Sequence, residues 1–83
     1  MQLKMYTTTW CAYCKAEKQF LTDKGVKFTE VDVESDPEAA NEMYKLSGQT
    51  GVPFTVITKE DGQRLGILGF DRPRLTEVLG LTR

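Results

Sequence analysis

Histidine is absent from this sequence, and cysteine occurs only twice. A zinc site takes about four ligands, usually cysteine or histidine, which argues against an intramolecular zinc site. Net charge is nearly absent as well, because 12 acidic residues oppose 11 basic ones for a formal charge of -1. Such a balance gives no general attraction for phosphate backbones or anionic membranes, and we expect no nucleic-acid partner.

Long apolar runs are also missing. No stretch approaches the roughly 18 apolar residues of a membrane span, so we expect no membrane association. The start, MQLKMY, lacks the apolar segment and cleavage site of a signal peptide and is typical of a first strand. These features predict a cytoplasmic protein, a compartment where paired cysteines are more often catalytic or metal-binding than structural. With 83 residues we expect one domain, over residues 1–83.

Hydrophobic patterning predicts seven elements in the order β-α-β-α-β-β-α. Strands are expected over residues 3–8, 26–33, 52–58 and 63–68, and helices over 11–24, over 37–47 and after Asp71. Asp36 and Gly48 are typical of the two ends of the second helix, and Asp61–Gly62 of a hairpin turn. The stripes expected to be buried are Ala12, Ala16, Phe20 and Leu21, then Ala39, Ala40, Met43 and Tyr44, then Leu75, Val78 and Leu79.

A strand–helix–strand crossover is right-handed and places its two strands parallel. Together with the antiparallel hairpin it makes a four-stranded mixed sheet covered by three helices, an α/β fold. Ligands of such sheets lie outside the carboxyl ends of the parallel strands. The segment TWCAYC occupies that position, between the first strand and the first helix.

Cys11 and Cys14, at this junction, admit five interpretations: a redox pair, half of a metal site, a structural disulfide, a ligand of a persistent cluster, or two inert core residues. A structural disulfide over so short a loop gains little chain entropy. Inert core cysteines do not account for a position at a strand-to-helix junction. A Cys-x-x-Cys in a cytosolic protein beside a strand–helix–strand pattern is typical of a thioredoxin-like redox motif, which we favour.

The helix position gives the two sulfurs different chemistry. A first helical turn presents unpaired N–H groups and the positive end of the helix dipole. We therefore expect a lowered pKa for the Cys11 thiol, in the range of about 3.5 to 7.5 that such sites cover. Cys14, one turn further along, is expected to be shielded and close enough to attack a mixed disulfide formed on Cys11.

Three segments in order, WCAYC, GQTGVP and GFDRP, resemble the glutaredoxin-like small redoxins of the thioredoxin fold. The resemblance covers essentially the whole chain. TTTWCAYC is most similar to the mycoredoxins, and GFDRPRL to redoxins that supply electrons to ribonucleotide reductase. The resemblance implies a thioredoxin-like (glutaredoxin) fold and a thiol–disulfide oxidoreductase with Cys11 as the nucleophile and Cys14 as the resolving thiol.

The same resemblance implies a thiol-binding surface. Pro53 matches the cis-proline that faces the cysteines, and the backbone of Val52 is expected to pair with a bound thiol peptide as an added strand. Gln49, in the same GQTGVP segment, is included among the thiol-binding residues. Gly69 and Asp71 match the loop that holds the γ-glutamyl end of glutathione at a helix start.

Three positions depart from the glutaredoxin pattern. Leu68 replaces the first glycine of the glutathione loop, Thr8 replaces a common lysine, and Thr50 replaces a basic or polar residue that contacts a glutathione carboxylate. These differences argue against tight glutathione binding. Arg72 and Arg74 are candidates for a compensating carboxylate contact, with solvated surface charge as the alternative.

Aromatic side chains flank the predicted site. Trp10 and Tyr13 are expected to form an apolar docking surface beside the sulfurs, although Trp10 has the alternative of packing the helix onto the sheet. Phe70 has two interpretations, a thiol-binding residue or an anchor of the last helix.

The predicted function is reduction of protein disulfides, or of mixed disulfides with small thiols, by a monomer without a tightly bound cofactor. Glutathione or another small thiol is the expected co-substrate. The partners are disulfide-containing proteins, with ribonucleotide reductase as a candidate, and the electron donor is glutathione or thioredoxin reductase. The rival functions are an iron–sulfur cluster carrier, in which two chains share a cluster, and an adaptor that retains only the fold.

Overall fold

A computed structural model of the chain describes residues 1–81. The predicted order β-α-β-α-β-β-α is confirmed. The strands are β1 (Gln2–Thr7), β2 (Thr29–Asp32), β3 (Phe54–Thr58) and β4 (Arg64–Leu68), and the helices are α1 (Ala12–Asp23), α2 (Pro37–Ser47) and α3 (Arg72–Leu79). No helix within residues 1–81 is both long enough and apolar enough to cross a membrane.

The strands form one mixed sheet in the order β2-β1-β3-β4. β1 pairs parallel with β2, and β3 pairs antiparallel with both β1 and β4. Tyr6 lies opposite Phe54, which lies opposite Leu68 on its other side. This register brings the end of β1, the start of β3 and the end of β4 to the same end of the sheet.

Helices cover both faces of the sheet, so alternate residues of the central strands enter two cores. Helices α1 and α3 cover one face, where the buried side chains are Leu3, Met5, Leu21, Ile57, Ile67 and Leu75. Helix α2 covers the other face, where they are Tyr6, Ala39, Met43, Phe54 and Val56. This end of the sheet is therefore packed between helices on both faces.

Helix α2 begins and ends where the sequence predicts. The Asp36 carboxylate accepts hydrogen bonds from the backbone N–H groups of Glu38 and Ala39, at 3.1 and 3.2 Å. Gly48 adopts a left-handed conformation, with φ of 73°, and its N–H bonds to the carbonyl oxygen of Tyr44 at 2.7 Å. Both caps satisfy backbone groups that a helix end leaves unpaired.

The predicted start of the second strand is wrong by three residues. β2 begins at Thr29, whereas Val26 and Phe28 lie in the connection from α1 and are half-buried against the α1–α3 core. Apolar burial alone produced the strand-like pattern there. The third strand likewise begins at Phe54, because Val52 and Pro53 precede the ladder.

The predicted buried stripe of α1 is wrong at its two alanines. Ala12 and Ala16 are exposed, and the buried residues are Cys14, Glu17 and Leu21. The charged Glu17 interrupts the apolar pattern, which shifted the predicted stripe onto the small alanines beside it. Of the predicted stripe, Leu21 is buried and Phe20 packs against the core from its rim.

The predicted stripe of α2 needs a smaller correction. Ala39 and Met43 are buried, and Ala40 is half-buried. Tyr44 is 55% exposed, since one further residue turns the side chain about 100° away from the stripe centred on Met43.

Candidate active site

Cys11 occupies the N-cap of α1. Its backbone is extended, and its Sγ accepts a hydrogen bond from the backbone N–H of Cys14 at 3.0 Å. The carbonyl oxygen of Cys11 accepts the first helical bond, from the N–H of Lys15 at 3.3 Å. The Cys11 sulfur therefore lies where unpaired N–H groups and the helix dipole favour negative charge.

The second cysteine has a different environment. Cys14 is 1% exposed, while Cys11 is partly exposed. The two are joined as a disulfide, with 5.2 Å between their Cα atoms. Position on the helix thus makes one sulfur accessible to a partner and keeps the other beneath it.

Two aromatic side chains flank the pair and project into solvent. Trp10 is 86% exposed and Tyr13 is 70% exposed. The alternative in which Trp10 packs the helix onto the sheet is therefore wrong. The exposed rings of Trp10 and Tyr13 leave apolar surface beside Cys11.

The segment before β3 lies at the same end of the sheet as the two cysteines. The Val52–Pro53 peptide bond is cis, as predicted, and Pro53 is buried. Val52 is half-buried and packs against the α2 core. The carbonyl oxygen of Pro53 accepts a hydrogen bond from the N–H of Gly69 at 2.8 Å, which connects this segment to the loop after β4.

Gln49 uses its amide within its own loop. The Nε2 group donates to Ser47 Oγ and to the carbonyl oxygen of Gly51, each at 3.2 Å, and Oε1 accepts from the N–H of Gly51. The side chain thus orders the turn that leads to Val52. The thiol contact of Gln49 stays a prediction.

The loop before α3 has a defined conformation. Gly69 has a φ of 78°, and Asp71 caps α3 by accepting from the N–H of Arg74 at 3.1 Å. Phe70 packs against Phe20 with 5.8 Å between ring centroids, which matches the anchoring interpretation. The guanidinium of Arg72 lies 5.4 Å above the Phe20 ring. Leu68, which the resemblance predicts to replace a glycine of the glutathione loop, is 56% exposed.

A buried carboxyl group that the sequence reasoning missed lies on the inner face of α1. Glu17 is fully buried, and the hydroxyl of Thr55 donates a hydrogen bond to its Oε2. Within residues 1–81, its Oε1 has no hydrogen-bond partner. Burial raises the pKa of Glu17, and the bond from Thr55 opposes that shift. The spacing of three from Cys14 and four to Leu21 is the sequence signal that indicates an inward position.

Other charged groups nearby are paired at the surface. Lys18 donates to Glu30 at 2.9 Å, and this hydrogen bond is the main cause of a lowered pKa of the Glu30 carboxyl. Glu30 also accepts from the Thr7 hydroxyl, at 2.9 Å. Across the described part of the chain, no group of three or more histidine, cysteine or acidic side chains is arranged to hold a metal ion.

A family model described as Glutaredoxin matches residues 3–61, which include both cysteines and Pro53. The chain belongs to the glutaredoxin family. Glutaredoxin 3 of Escherichia coli strain K12 is 38% identical over 64 residues, covering 77% of this chain and 74% of that protein. An uncharacterized glutaredoxin-like 8.6 kDa protein in a rubredoxin operon of Clostridium pasteurianum is 35% identical over 77 residues, covering 93% of this chain and 96% of that protein.

Solved structures of similar proteins have the same fold. A mutant of the thioredoxin-like protein BC3987 matches with a TM-score of 0.84 and 27% identity, over 98% of this chain and 97% of the other. The glutaredoxin-like protein NrdH-redoxin from Escherichia coli matches with a TM-score of 0.77 and 26% identity, over 94% and 95%. The resemblance and the thioredoxin-like fold drawn from the sequence are confirmed. A Cys11–Cys14 pair in a glutaredoxin domain supports thiol–disulfide oxidoreductase chemistry.

Proposed function

We propose that this chain is a dithiol reductase of protein disulfides and of mixed disulfides with small thiols, with Cys11 as nucleophile and Cys14 as resolving thiol. The observation that carries this proposal is the contrast between the two sulfurs. Cys11 caps α1 and is partly exposed, whereas Cys14 is 1% exposed. The accessible sulfur is the one that a bulky partner reaches first.

The reaction proceeds by two exchanges. The Cys11 thiolate attacks one sulfur of the target disulfide, forms a mixed disulfide and releases the other target sulfur as a thiolate. Cys14 then loses its proton and attacks Cys11 Sγ, which forms the Cys11–Cys14 bond and releases the second target thiolate. A reductant supplies two electrons and two protons to restore the dithiol.

The surroundings of Cys11 supply a surface for the target. Trp10 and Tyr13 offer apolar rings at the N-terminal end of α1. The backbone of Val52 is proposed to pair with an extended segment of the target. The residues proposed to shape or contact the same thiol-binding surface are Gln49, Pro53, Gly69, Phe70 and Asp71. The register of the sheet brings the end of β1, the start of β3 and the end of β4 to the same end of the sheet, which supports this assignment.

Two electron donors are compatible with the family. Glutaredoxins typically use glutathione as a co-substrate. The exposed Leu68, in place of a loop glycine, favours a second candidate in which thioredoxin reductase or another small thiol is the donor. The name of the NrdH-redoxin structure gives that protein a thioredoxin-like activity profile, which supports the same candidate. We propose a cytoplasmic monomer of one domain, over residues 1–83, with disulfide proteins such as ribonucleotide reductase as targets.

One assay separates these donors. NADPH consumption is followed with a protein disulfide as substrate, with either glutathione and its reductase or thioredoxin reductase alone. The proposal expects turnover with at least one donor and its loss in Cys11→Ser. Cys14→Ser is expected to keep activity on mixed disulfides with small thiols and to lose turnover with thioredoxin reductase.

Full activity in Cys11→Ser contradicts the proposed function and favours the adaptor. Absorbance of protein purified without oxygen tests the cluster carrier. A coloured dimer that binds iron and sulfide supports that rival, and a colourless active monomer supports the reductase.

A further inference from the structure

The buried carboxyl of Glu17 is the group in this molecule whose position the proposed reaction leaves unexplained. The side chain is fully buried, and one of its oxygens has no hydrogen-bond partner in the part of the chain that the structure describes. Buried polar atoms in native proteins are nearly always paired, and leaving one unpaired destabilises the fold. A helix position facing the core would ordinarily hold an apolar residue.

The position of Glu17 connects it to the redox pair. Glu17 follows Cys14 by three residues on α1, and side chains at that spacing are neighbours, with Cβ atoms about 5–6 Å apart. Both belong to the buried face of α1. Its other oxygen accepts from Thr55, which lies on β3 two residues after Pro53. The carboxyl is thus bonded to β3 and shares the buried face of α1 with Cys14.

Within residues 1–81, no charged side chain is hydrogen-bonded to the carboxyl. The buried side chains that face α1 from β1, β3, β4 and α3 carry no titratable group; they are Leu3, Met5, Thr7, Thr55, Ile57, Ile67 and Leu75. From β2, Glu30 bonds Thr7 and Lys18 at the outer edge, and from α3 Arg72 lies over Phe20. Cys14 is therefore the titratable neighbour that shares the buried face.

We propose that Glu17 accepts the proton of Cys14 when Cys14 resolves the mixed disulfide, and returns it when the pair is reduced. This inference rests on the dithiol function proposed above. The Cys14 S–H bond breaks and its proton passes to the Glu17 carboxylate. The sulfur uses the freed electron pair to bond to Cys11 Sγ, and the target sulfur leaves as a thiolate.

A nearby base would assist the second exchange. Cys14 reacts only as a thiolate, and burial in apolar surroundings makes thiolate formation harder. At 1% exposure Cys14 has little direct access to water as a base. Because burial raises the pKa of Glu17 above that of an ordinary carboxyl, the group is better matched to the proton that it must take up near neutral pH.

The decisive variant is Glu17→Gln, which keeps an acceptor for Thr55 but cannot take up a proton. A mixed disulfide is formed on Cys11 with a fluorescent thiol, and release of that thiol reports resolution by Cys14. We expect Glu17→Gln to slow release by about 100-fold at neutral pH, the lower end of the range for general acid–base groups. The pH profile of release should also move to higher pH. Glu17→Asp keeps the carboxyl and is expected to restore part of the rate.

The matched control is Glu30→Gln, which removes a carboxylate that is also bonded to a threonine hydroxyl but lies at the exposed edge. It should leave release unchanged. Alkylation of reduced Cys11 should be unaffected by Glu17→Gln, because only the second exchange uses Glu17. An unchanged release rate and pH profile in folded Glu17→Gln overturns this inference, while loss of activity in Cys11→Ser still upholds the proposed function.

A measurement on the unaltered protein covers the case in which Glu17→Gln fails to fold. The side-chain carboxyl carbon of Glu17 is followed by NMR from acidic to neutral pH in the disulfide and dithiol forms. A proton shared with Cys14 predicts coupled titration in the dithiol form and a different midpoint in the disulfide form. Identical titration curves in the two forms overturn the inference.

Discussion

The backbone N–H of Gly69 donates a hydrogen bond to the carbonyl oxygen of Pro53, with 2.8 Å between nitrogen and oxygen. This bond joins the loop before α3 to the segment before β3, two parts of the chain that the sequence separates by a hairpin. Gly69 has a φ of 78°, a left-handed backbone conformation that is unfavourable in free energy for residues with a Cβ atom. The conformation of Gly69 and the position of Pro53 are therefore coupled.

Gly69→Ala tests that coupling. Beyond its two chain neighbours, no described atom lies within 4 Å of the added Cβ, so the effect comes from backbone strain, about 1–2 kcal/mol in the free energy of unfolding measured with urea. We also expect a higher KM for the disulfide substrate, because the loop beside Pro53 shifts. Gly62→Ala is the control: it has a φ of 88° and equally open surroundings in the β3–β4 turn. Equal kinetics in both variants would argue against the coupling.

The exposed ring of Trp10 gives a prediction about substrate size. Trp10→Ala should change the free energy of unfolding by less than about 0.5 kcal/mol, since the side chain is 86% exposed. The KM for a protein disulfide should rise by about tenfold, equivalent to about 1.4 kcal/mol of lost contact. A small-thiol disulfide should be affected less. Tyr44→Ala, which removes an exposed aromatic on α2, is the control, and an equal effect on both substrates would contradict a docking role.

Leu68 gives a prediction about the electron donor. Leu68→Gly introduces the glycine that the resemblance implies for a glutathione loop and removes an exposed side chain from the end of β4. We expect kcat/KM with glutathione to rise by about three- to tenfold, or about 0.7–1.4 kcal/mol. Leu68→Ala separates loss of bulk from added backbone freedom. A fall in glutathione activity for both variants would show that Leu68 supports donor binding.

The buried pair of Glu17 and Thr55 gives a prediction about stability and pH. Burial raises the pKa of Glu17 above the ordinary value of 4.5, so the folded state holds its proton more tightly than the unfolded state. Its contribution to stability is therefore fully present below that ordinary value and is lost as pH rises through the folded value. The double variant Glu17→Met with Thr55→Val removes both polar partners and replaces them with apolar groups of similar size.

We expect that double variant to be more stable than the parent protein by about 1–3 kcal/mol at neutral pH, and by less at about pH 4. Urea unfolding at the two pH values measures the difference. The same double variant should resolve mixed disulfides slowly, since it lacks the carboxyl. A gain that is larger at acidic pH would mean that Glu17 is ionised and stabilised in the folded state.

The sequence predicts the fold well because the periodic signals agree with the turn signals. The caps at Asp36 and Gly48 lie where the sequence pattern places them, and the bond before Pro53 is cis, as the resemblance to glutaredoxins implies. The prediction for the inner face of α1 is wrong because a charged residue occupies that face, and charged residues are ordinarily exposed. The thiol-binding roles of Val52, Gly69 and Asp71 stay predictions, because they concern contacts with a bound target.

For several side chains of the site, the sequence leaves alternatives open that only tertiary packing decides. Packing decides between alternatives that composition leaves open: Trp10 is exposed and Phe70 packs on Phe20. Tertiary contacts that join distant segments, such as Thr55 with Glu17, leave no periodic signal in the sequence. Such contacts determine the environment of Cys14 even though its position in the motif is evident.

The cap of α1 is itself the reacting atom, because Cys11 Sγ accepts the N–H of Cys14. Removing that sulfur thus also frays the helix that carries Cys14, and an alanine at position 11 would combine two defects. Serine is among the best N-cap residues, so Cys11→Ser preserves the helix start while abolishing the chemistry. Inactive protein with an intact α1 would then trace the loss to the sulfur alone.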